Sequence, residues 1–167
     1  IMAAWGGGGF PYVPSYAAAY RRSNEGRILV FRLDGATVPL PPERAALTVA
    51  PAPPAQASDV TAATIAKGRT LFFASCALCH SNQPRSITPD LSRMPPAIHK
   101  QFDQIVLGGL FVPGGMPRWD DRLSTADAHA IHAYLIDLQK QTRAKELARQ
   151  KQGLPLDSHA PTILSNY

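Results

Sequence analysis

Apolar residues recur at helical spacing in three stretches of the second half of this chain, and one stretch of the first half reads as a strand. Ile65, Leu71 and Phe72 give the apolar face of a helix that Ser58 or Asp59 would cap and that runs to about Phe73. Ile98, Phe102, Ile105 and Val106 form the stripe of a second, shorter helix, which follows Pro95-Pro96 and stops at Gly108-Gly109. A third helix starts at Ser124-Thr125-Ala126-Asp127 and carries Ile131, Tyr134, Leu135 and Leu138 on one side. This third helix is expected to cross the first at Gly68, where a missing side chain lets Tyr134 and its neighbours come close. Upstream, Arg27 to Leu33 alternates weakly, is rich in Ile, Val, Leu and Phe, and ends at Asp34-Gly35, as a strand and its turn would.

Between these halves the pattern disappears. Six of the 16 prolines fall between Val38 and Ala55, in Pro39-Leu40-Pro41-Pro42 and Pro51-Ala52-Pro53-Pro54, a composition that favours extended polyproline II and makes a semi-rigid spacer. The expected partition is therefore an arm over residues 1–37, a linker over 38–57, a helical domain over 58–152 and a tail over 153–167. The arm holds Trp5, Phe10, Tyr12, Tyr16, Tyr20, Ile28, Val30 and Phe31, an apolar set too large to leave in water and too short in chain to close a sheet alone. It is expected to be ordered by a larger β domain.

The chemistry is concentrated in Cys76-Ala77-Leu78-Cys79-His80, the Cys-x-x-Cys-His run to which a c-type heme is attached. Cys-x-x-Cys also occurs in zinc sites and thiol oxidoreductases. Zinc would need two further ligands, and the chain has no third cysteine; His129 and His132 are its one other close pair of candidate ligands. A redox disulfide belongs near a strand-helix-strand unit, whereas Leu71 to Ser75 reads as a helix end.

Electron-transfer heme iron takes a sixth protein ligand, and methionine opposite histidine raises its potential. Met2 lies far upstream, and Met94 follows His80 by 14 positions, a tight span for a loop around a porphyrin edge. Met116 follows by 36, within Gly114-Gly115-Met116-Pro117-Arg118-Trp119, where glycines allow close backbone approach and the proline stiffens the loop. Met116 is the expected ligand beside His80. Met94 and His99, which would give a bis-histidine heme, are the alternatives.

Taken together, these features resemble a class I cytochrome c domain. The resemblance covers Lys67 to Leu138 and rests on Gly68 to Phe72, the heme-attachment run, Pro89-Asp90-Leu91, the Met116-Pro117 loop and Ala133-Tyr134-Leu135. It implies a mainly α fold around one covalent heme c. It also implies a proline carbonyl as acceptor for the second ring N–H of His80, with Pro89 the best match and Pro84 the alternative. Arg118 and Trp119 are placed to reach a heme propionate or to cover the heme edge. The segment from Trp5-Gly6 to Gly35 is similar to the C-terminal propeller edge of quinohemoprotein alcohol dehydrogenases, in which a propeller, a linker and a cytochrome domain follow in that order.

That resemblance implies a chain that accepts electrons from pyrroloquinoline quinone (PQQ) and passes them to a cytochrome, quinone or oxidase in the periplasm. No alcohol-oxidising residue is expected here, since PQQ and calcium would sit in the preceding propeller. The competing reading is a free-standing or subunit cytochrome c that docks on another periplasmic oxidoreductase.

Charge adds little to the choice. Seven basic and seven acidic residues balance between Ser58 and Gln139, and much of the +5 excess lies in Lys140, Arg143, Lys145, Arg149 and Lys151 around Glu146. Cations at a helix end favour the helix dipole; an acidic partner or an anionic membrane surface is the alternative use, and nucleic acid is not expected as a partner. No apolar run approaches the roughly 20 residues needed to span a bilayer. His99, His129 and His132 fall on expected helices without a carboxylate at ligand spacing, and His159 lies in the tail.

Overall fold

A computed structural model of the chain describes residues 2–5, 22, 27–35, 37, 40–43, 45–80 and 88–156. Its body is helical. The first long helix, α1 (Ala62–Ser75), is capped by Thr61, whose hydroxyl accepts from the Thr64 amide at 3.1 Å. Ser58 and Asp59 do not cap it because they belong to a turn of their own, closed by the Val60 amide on the Ala57 carbonyl at 3.2 Å.

The expected second helix is two helices. α2 (Pro96–Lys100) and α3 (Phe102–Val106) meet at Gln101, whose backbone leaves helical geometry at φ −105° and ψ 11°. The apolar stripe continues across the break, and Phe102, Ile105 and Val106 are buried. Short 3-10 turns at Leu91–Arg93 and Val112–Gly114 precede and follow this pair.

α4 (Thr125–Lys151) starts where the sequence places it. Ser124 accepts from the Asp127 amide at 3.2 Å, and Asp127 returns the bond to the Ser124 amide at 3.1 Å, forming a capping box. Lys67 of α1 reaches the same carboxylate at 2.7 Å. These partners hold the Asp127 carboxyl down at about 2, the Lys67 contact contributing most and the Ser124 bonds next.

The α1 and α4 helices cross at Gly68. A Cβ built there would lie 1.9 Å from the Ala130 carbonyl oxygen and 3.0 Å from the Ile131 amide nitrogen, so the two backbones touch with no space for a side chain. Tyr134 lies one turn further on and packs its ring against Phe72 at 5.4 Å. Around this crossing Phe72, Ile131 and Leu135 are wholly buried, with Met94, Phe102, Val106, Leu123 and Ala128 completing the core.

The strand expected over Arg27 to Leu33 is shorter, and it has a partner within the chain. β1 (Met2–Trp5) pairs antiparallel with β2 (Arg27–Val30), Met2 opposite Val30 and Trp5 opposite Arg27. The backbone of a short apolar segment satisfies its hydrogen bonds this way, a pairing the local pattern around Arg27 does not announce. Val30 and Leu33 remain exposed at the end of this ribbon. Phe10, Tyr12, Tyr16 and Tyr20 lie outside the described residues. Arg22 fastens the arm to the start of the linker, donating to the Pro41 carbonyl at 2.8 Å and pairing with Glu43.

Gly68→Ala should be among the most damaging single-methyl additions in the chain, since the helices must separate to admit it. The expected cost is about 2 kcal/mol or more, read as a lower Tm by circular dichroism. An unchanged Tm would contradict the close crossing.

Candidate metal centre

The last turn of α1 delivers the cysteines. Cys76 is the C-cap, its amide bonded to the Phe72 carbonyl at 2.8 Å, and the chain then folds back on itself. The Cys79 and His80 amides both bond to the Cys76 carbonyl, at 3.1 and 2.8 Å, so the two thiols and the imidazole are carried on one tight turn. Both thiols are free, Cys76 half-buried and Cys79 exposed. Burial, reinforced by the neighbouring Cys79, pushes the Cys76 thiol up to about 11. Among the described residues no group of three or more His, Cys, Asp or Glu side chains is placed to hold a metal ion in the manner of a zinc site.

His80 is oriented by Pro89. Its Nδ1 lies 3.1 Å from the Pro89 carbonyl oxygen, which can only accept, so Nδ1 carries the proton and Nε2 keeps its lone pair. The Thr88 hydroxyl donates to the Cys79 carbonyl, tying this segment to the cysteine turn, a contact that no motif signals in advance. Asp90 then accepts from the Ser92 amide at 2.9 Å and pairs with Arg93, while burial raises its carboxyl above the usual range. Pro84 lies outside the described residues.

Met116 lies on the far side of the sequence. Gly115, at φ 93°, turns the backbone, and the Met116 amide bonds to the Phe111 carbonyl at 3.2 Å. The side chain is half-buried against the core, as is Trp119, whose amide holds the Val106 carbonyl at 3.0 Å. Arg118 is exposed and paired with Asp120 at 2.6 Å.

The other candidate ligands have occupations of their own. Met94 is a core residue, 3 % exposed. His99 is buried in a polar chain: Nδ1 is 2.9 Å from His132 Nε2, and Nε2 is 3.0 Å from Gln139 Oε1. Gln139 donates onward to the Met94 and Pro51 carbonyls at 3.0 and 3.1 Å, which fixes its oxygen toward His99. His99 therefore donates through Nε2 and accepts through Nδ1, and both rings are satisfied when neutral. His132 stacks on Phe102 at 4.4 Å. His129, contrary to expectation, has a carboxylate beside it, since Asp103 on α3 lies 3.0 Å away across the helix boundary.

The residues fit a heme. Two free thiols and an oriented imidazole share a turn, and Leu78, Leu110, Phe111 and Val112 expose apolar surface beside the cysteines and ahead of Met116. Such side chains are costly in water and suited to a porphyrin face.

The family model for cytochrome c oxidase, cbb3-type, subunit III matches residues 63–135. Cytochrome c6 of Cladophora glomerata is 32 % identical over 88 residues, which are 47 % of this chain and 92 % of that protein. The chain belongs to the cytochrome c family, whose members imply heme c as the cofactor. Within that family it is a cytochrome c domain homologous to the cytochrome part of quinohemoprotein alcohol dehydrogenases. Quinohemoprotein alcohol dehydrogenase ADH IIB of Pseudomonas putida is 34 % identical over 140 residues, 81 % of this chain and 20 % of the relative. The solved structure of ADHIIG from Pseudomonas putida HK5 superposes with a TM-score of 0.56 at 32 % identity, covering 69 % of this chain and 16 % of that one. The chain thus spans about a fifth of the length of these dehydrogenases. Among the described residues no helix is long and apolar enough to cross a membrane.

Acid should loosen the histidine chain. Burial, with His99 next in effect, holds His132 down at about 4, and burial also lowers His99. A base whose folded pKa lies below its unfolded value of about 6.5 leaves stability untouched above that pH and subtracts from it as pH falls toward 4. Asp127, held at about 2, gives up its contribution mainly below this window, and Asp90, raised by burial, works against the slope because the folded state takes up its proton first. With His132 partly exposed, the loss is about 1 kcal/mol after solvent screening, or about 5 °C in Tm. Thermal melts between pH 7 and 4 should show this slope, and His132→Gln should flatten it. An identical slope in the variant would contradict the assignment.

Proposed function

We propose that this chain is the electron-transfer end of a periplasmic PQQ-dependent alcohol or aldehyde dehydrogenase. It takes electrons from the quinone of a preceding propeller domain and hands them to a downstream cytochrome, quinone or oxidase. The observation that carries the reading is the Cys76–His80 turn, with both thiols free and the His80 ring held by Pro89 so that Nε2 keeps its lone pair for a metal. The domain partition goes with it: an arm over 1–37, a linker over 38–57, a cytochrome domain over 58–152 and a tail over 153–167.

Cys76 and Cys79 would hold one heme through thioether bonds, His80 and Met116 would ligate its iron, and Arg118 and Trp119 would reach its propionates. When bound, this heme supplies a one-electron carrier that cycles between ferric and ferrous iron. The chain's residues set its working conditions. Pro89 fixes the tautomer and rotation of His80. The Gly114-Gly115 turn, with Gly115 at φ 93°, carries the chain into Met116, whose thioether as an iron ligand would favour the ferrous state and raise the potential. Leu110, Phe111 and Val112, all exposed, would offer the heme an apolar surface. Cys79 and Leu78 are both exposed, so a heme on this turn would be open there to an electron donor or acceptor.

The dehydrogenase context is supported by the extent of similarity to ADH IIB, which reaches well beyond the 73 residues of the family match. The exposed Val30 and Leu33 on a two-stranded ribbon also suit a sheet edge awaiting a neighbour. PQQ and calcium belong to that neighbour. The cytochrome c6 match, covering nearly all of that protein, favours a second reading as a free-standing carrier docking on another oxidoreductase.

Met116→Ala should abolish the weak sulfur-to-iron charge-transfer band of the ferric protein and lower the midpoint potential, with heme still attached. Met94→Ala should keep the band and cost stability instead, about 2 to 5 kcal/mol for an emptied core position. The reverse pattern would move the ligand to Met94.

A further inference from the structure

The proline-rich stretch lies along α4. Gln56 Nε2 donates to the Ala133 carbonyl at 3.0 Å. The Pro51 carbonyl accepts from Gln139 at 3.1 Å, the Ala50 amide donates to Glu146 at 2.7 Å, and the Ala50 carbonyl accepts from Arg143. At the far end Arg93 donates to the Thr48 carbonyl at 2.9 Å and closes an ion pair with Glu146. Ala50 is 0 % exposed and Glu146 5 %.

The contacts run in order. As the strap's residue number falls from 56 to 50, its partner on α4 rises from 133 to 146, so strap and helix are antiparallel. The lengths agree: six polyproline steps cover about 19 Å, and thirteen helical steps about 20 Å. An extended chain can therefore stay in register with a straight helix over the whole distance.

Most of these bonds read the strap's backbone. Pro51, Pro53 and Pro54 have no amide that would need a partner against the helix, and the buried amide of Ala50 finds a carboxylate. Arg93 and Arg143 surround that carboxylate and the Ala50 carbonyl with positive charge, which is what a buried anion requires. Gln139, Arg143 and Glu146 all lie beyond residue 135, where the family match ends. The clamp grips the part of the chain that leads to the arm.

We propose that Arg93, Gln139, Arg143 and Glu146 are positioning residues that make residues 48–56 a rigid strap, so that the tether to the preceding domain lies within residues 38–47, whose start Arg22 ties to the arm. An extended tether of residues 38–57 would reach about 70 Å, and one of residues 38–47 about 35 Å. The clamp thereby confines the heme edge to the neighbourhood of the electron donor. This role rests on the dehydrogenase reading, while the docking of the strap does not.

Hydrogen exchange on the heme-loaded chain tests the docking. The Ala50 amide should be protected about tenfold or more against its unfolded-chain rate. Glu146→Ala should remove that protection and leave α1 and α4 protected, Arg143→Ala should weaken it, and Glu146→Gln should retain part of it. Exchange of Ala50 at the unfolded rate in the wild type would overturn the strap. In the full-length holoenzyme, alcohol-driven heme reduction should slow about tenfold in Glu146→Ala, with partial rescue in Glu146→Gln. The heme spectrum, midpoint potential and reduction by ascorbate should not change. Loss of Ala50 protection with an unchanged alcohol-driven rate would overturn the positioning role. A wild-type heme that no alcohol or aldehyde reduces would overturn the dehydrogenase reading and that role with it, whatever the exchange rate of Ala50.

Discussion

The contact between Gly68 and the Ala130 carbonyl is the constraint on which the rest of the domain depends. With no side chain at Gly68, two helix backbones lie against one another, and Phe72, Ile131, Leu135 and Tyr134 close around the crossing. Eight residues on from Gly68, about 12 Å of helix, α1 ends at Cys76. The position of the cysteine turn relative to α4 is thus set at the crossing. The Lys67 to Asp127 pair beside it holds the rotation of one helix against the other.

What could be read from the sequence was local. Ser124 and Asp127 announce a capping box because both partners lie within four residues, and Cys76 to His80 declare their chemistry by spacing alone. Gly68 could be singled out because a helix interior rarely keeps a glycine without a packing reason. Its nearest neighbour is the Ala130 backbone rather than the Tyr134 ring, a distinction of one helical turn that periodicity does not resolve.

Features made by distant partners were not legible. The break at Gln101 lies inside an unbroken apolar stripe, and Thr61 displaces Ser58 and Asp59 as cap because those residues are used in a turn. The partner of β2 lies more than twenty residues away in a segment with little strand character. His129 finds Asp103, and His99 finds His132 and Gln139, only once α2, α3 and α4 are assembled. The cationic end of α4 shows the same limit. Glu146 reads as one anion among solvated cations, yet it is buried under Ala50 and Arg93, and Arg143 and Arg149 donate to the Ala50 and Pro155 carbonyls.

One covalently bound heme on the Cys76–His80 turn is what the proposed electron transfer requires. Its most direct test is the mass of the chain after export through a c-type maturation system, measured under denaturing conditions with a thiol-alkylating reagent present. The expected result is a mass increased by one heme and no alkylated cysteine, with His80 and Pro89 variants still carrying the thioethers. A chain that loses its heme to acidified organic solvent and takes up two alkyl groups would contradict it.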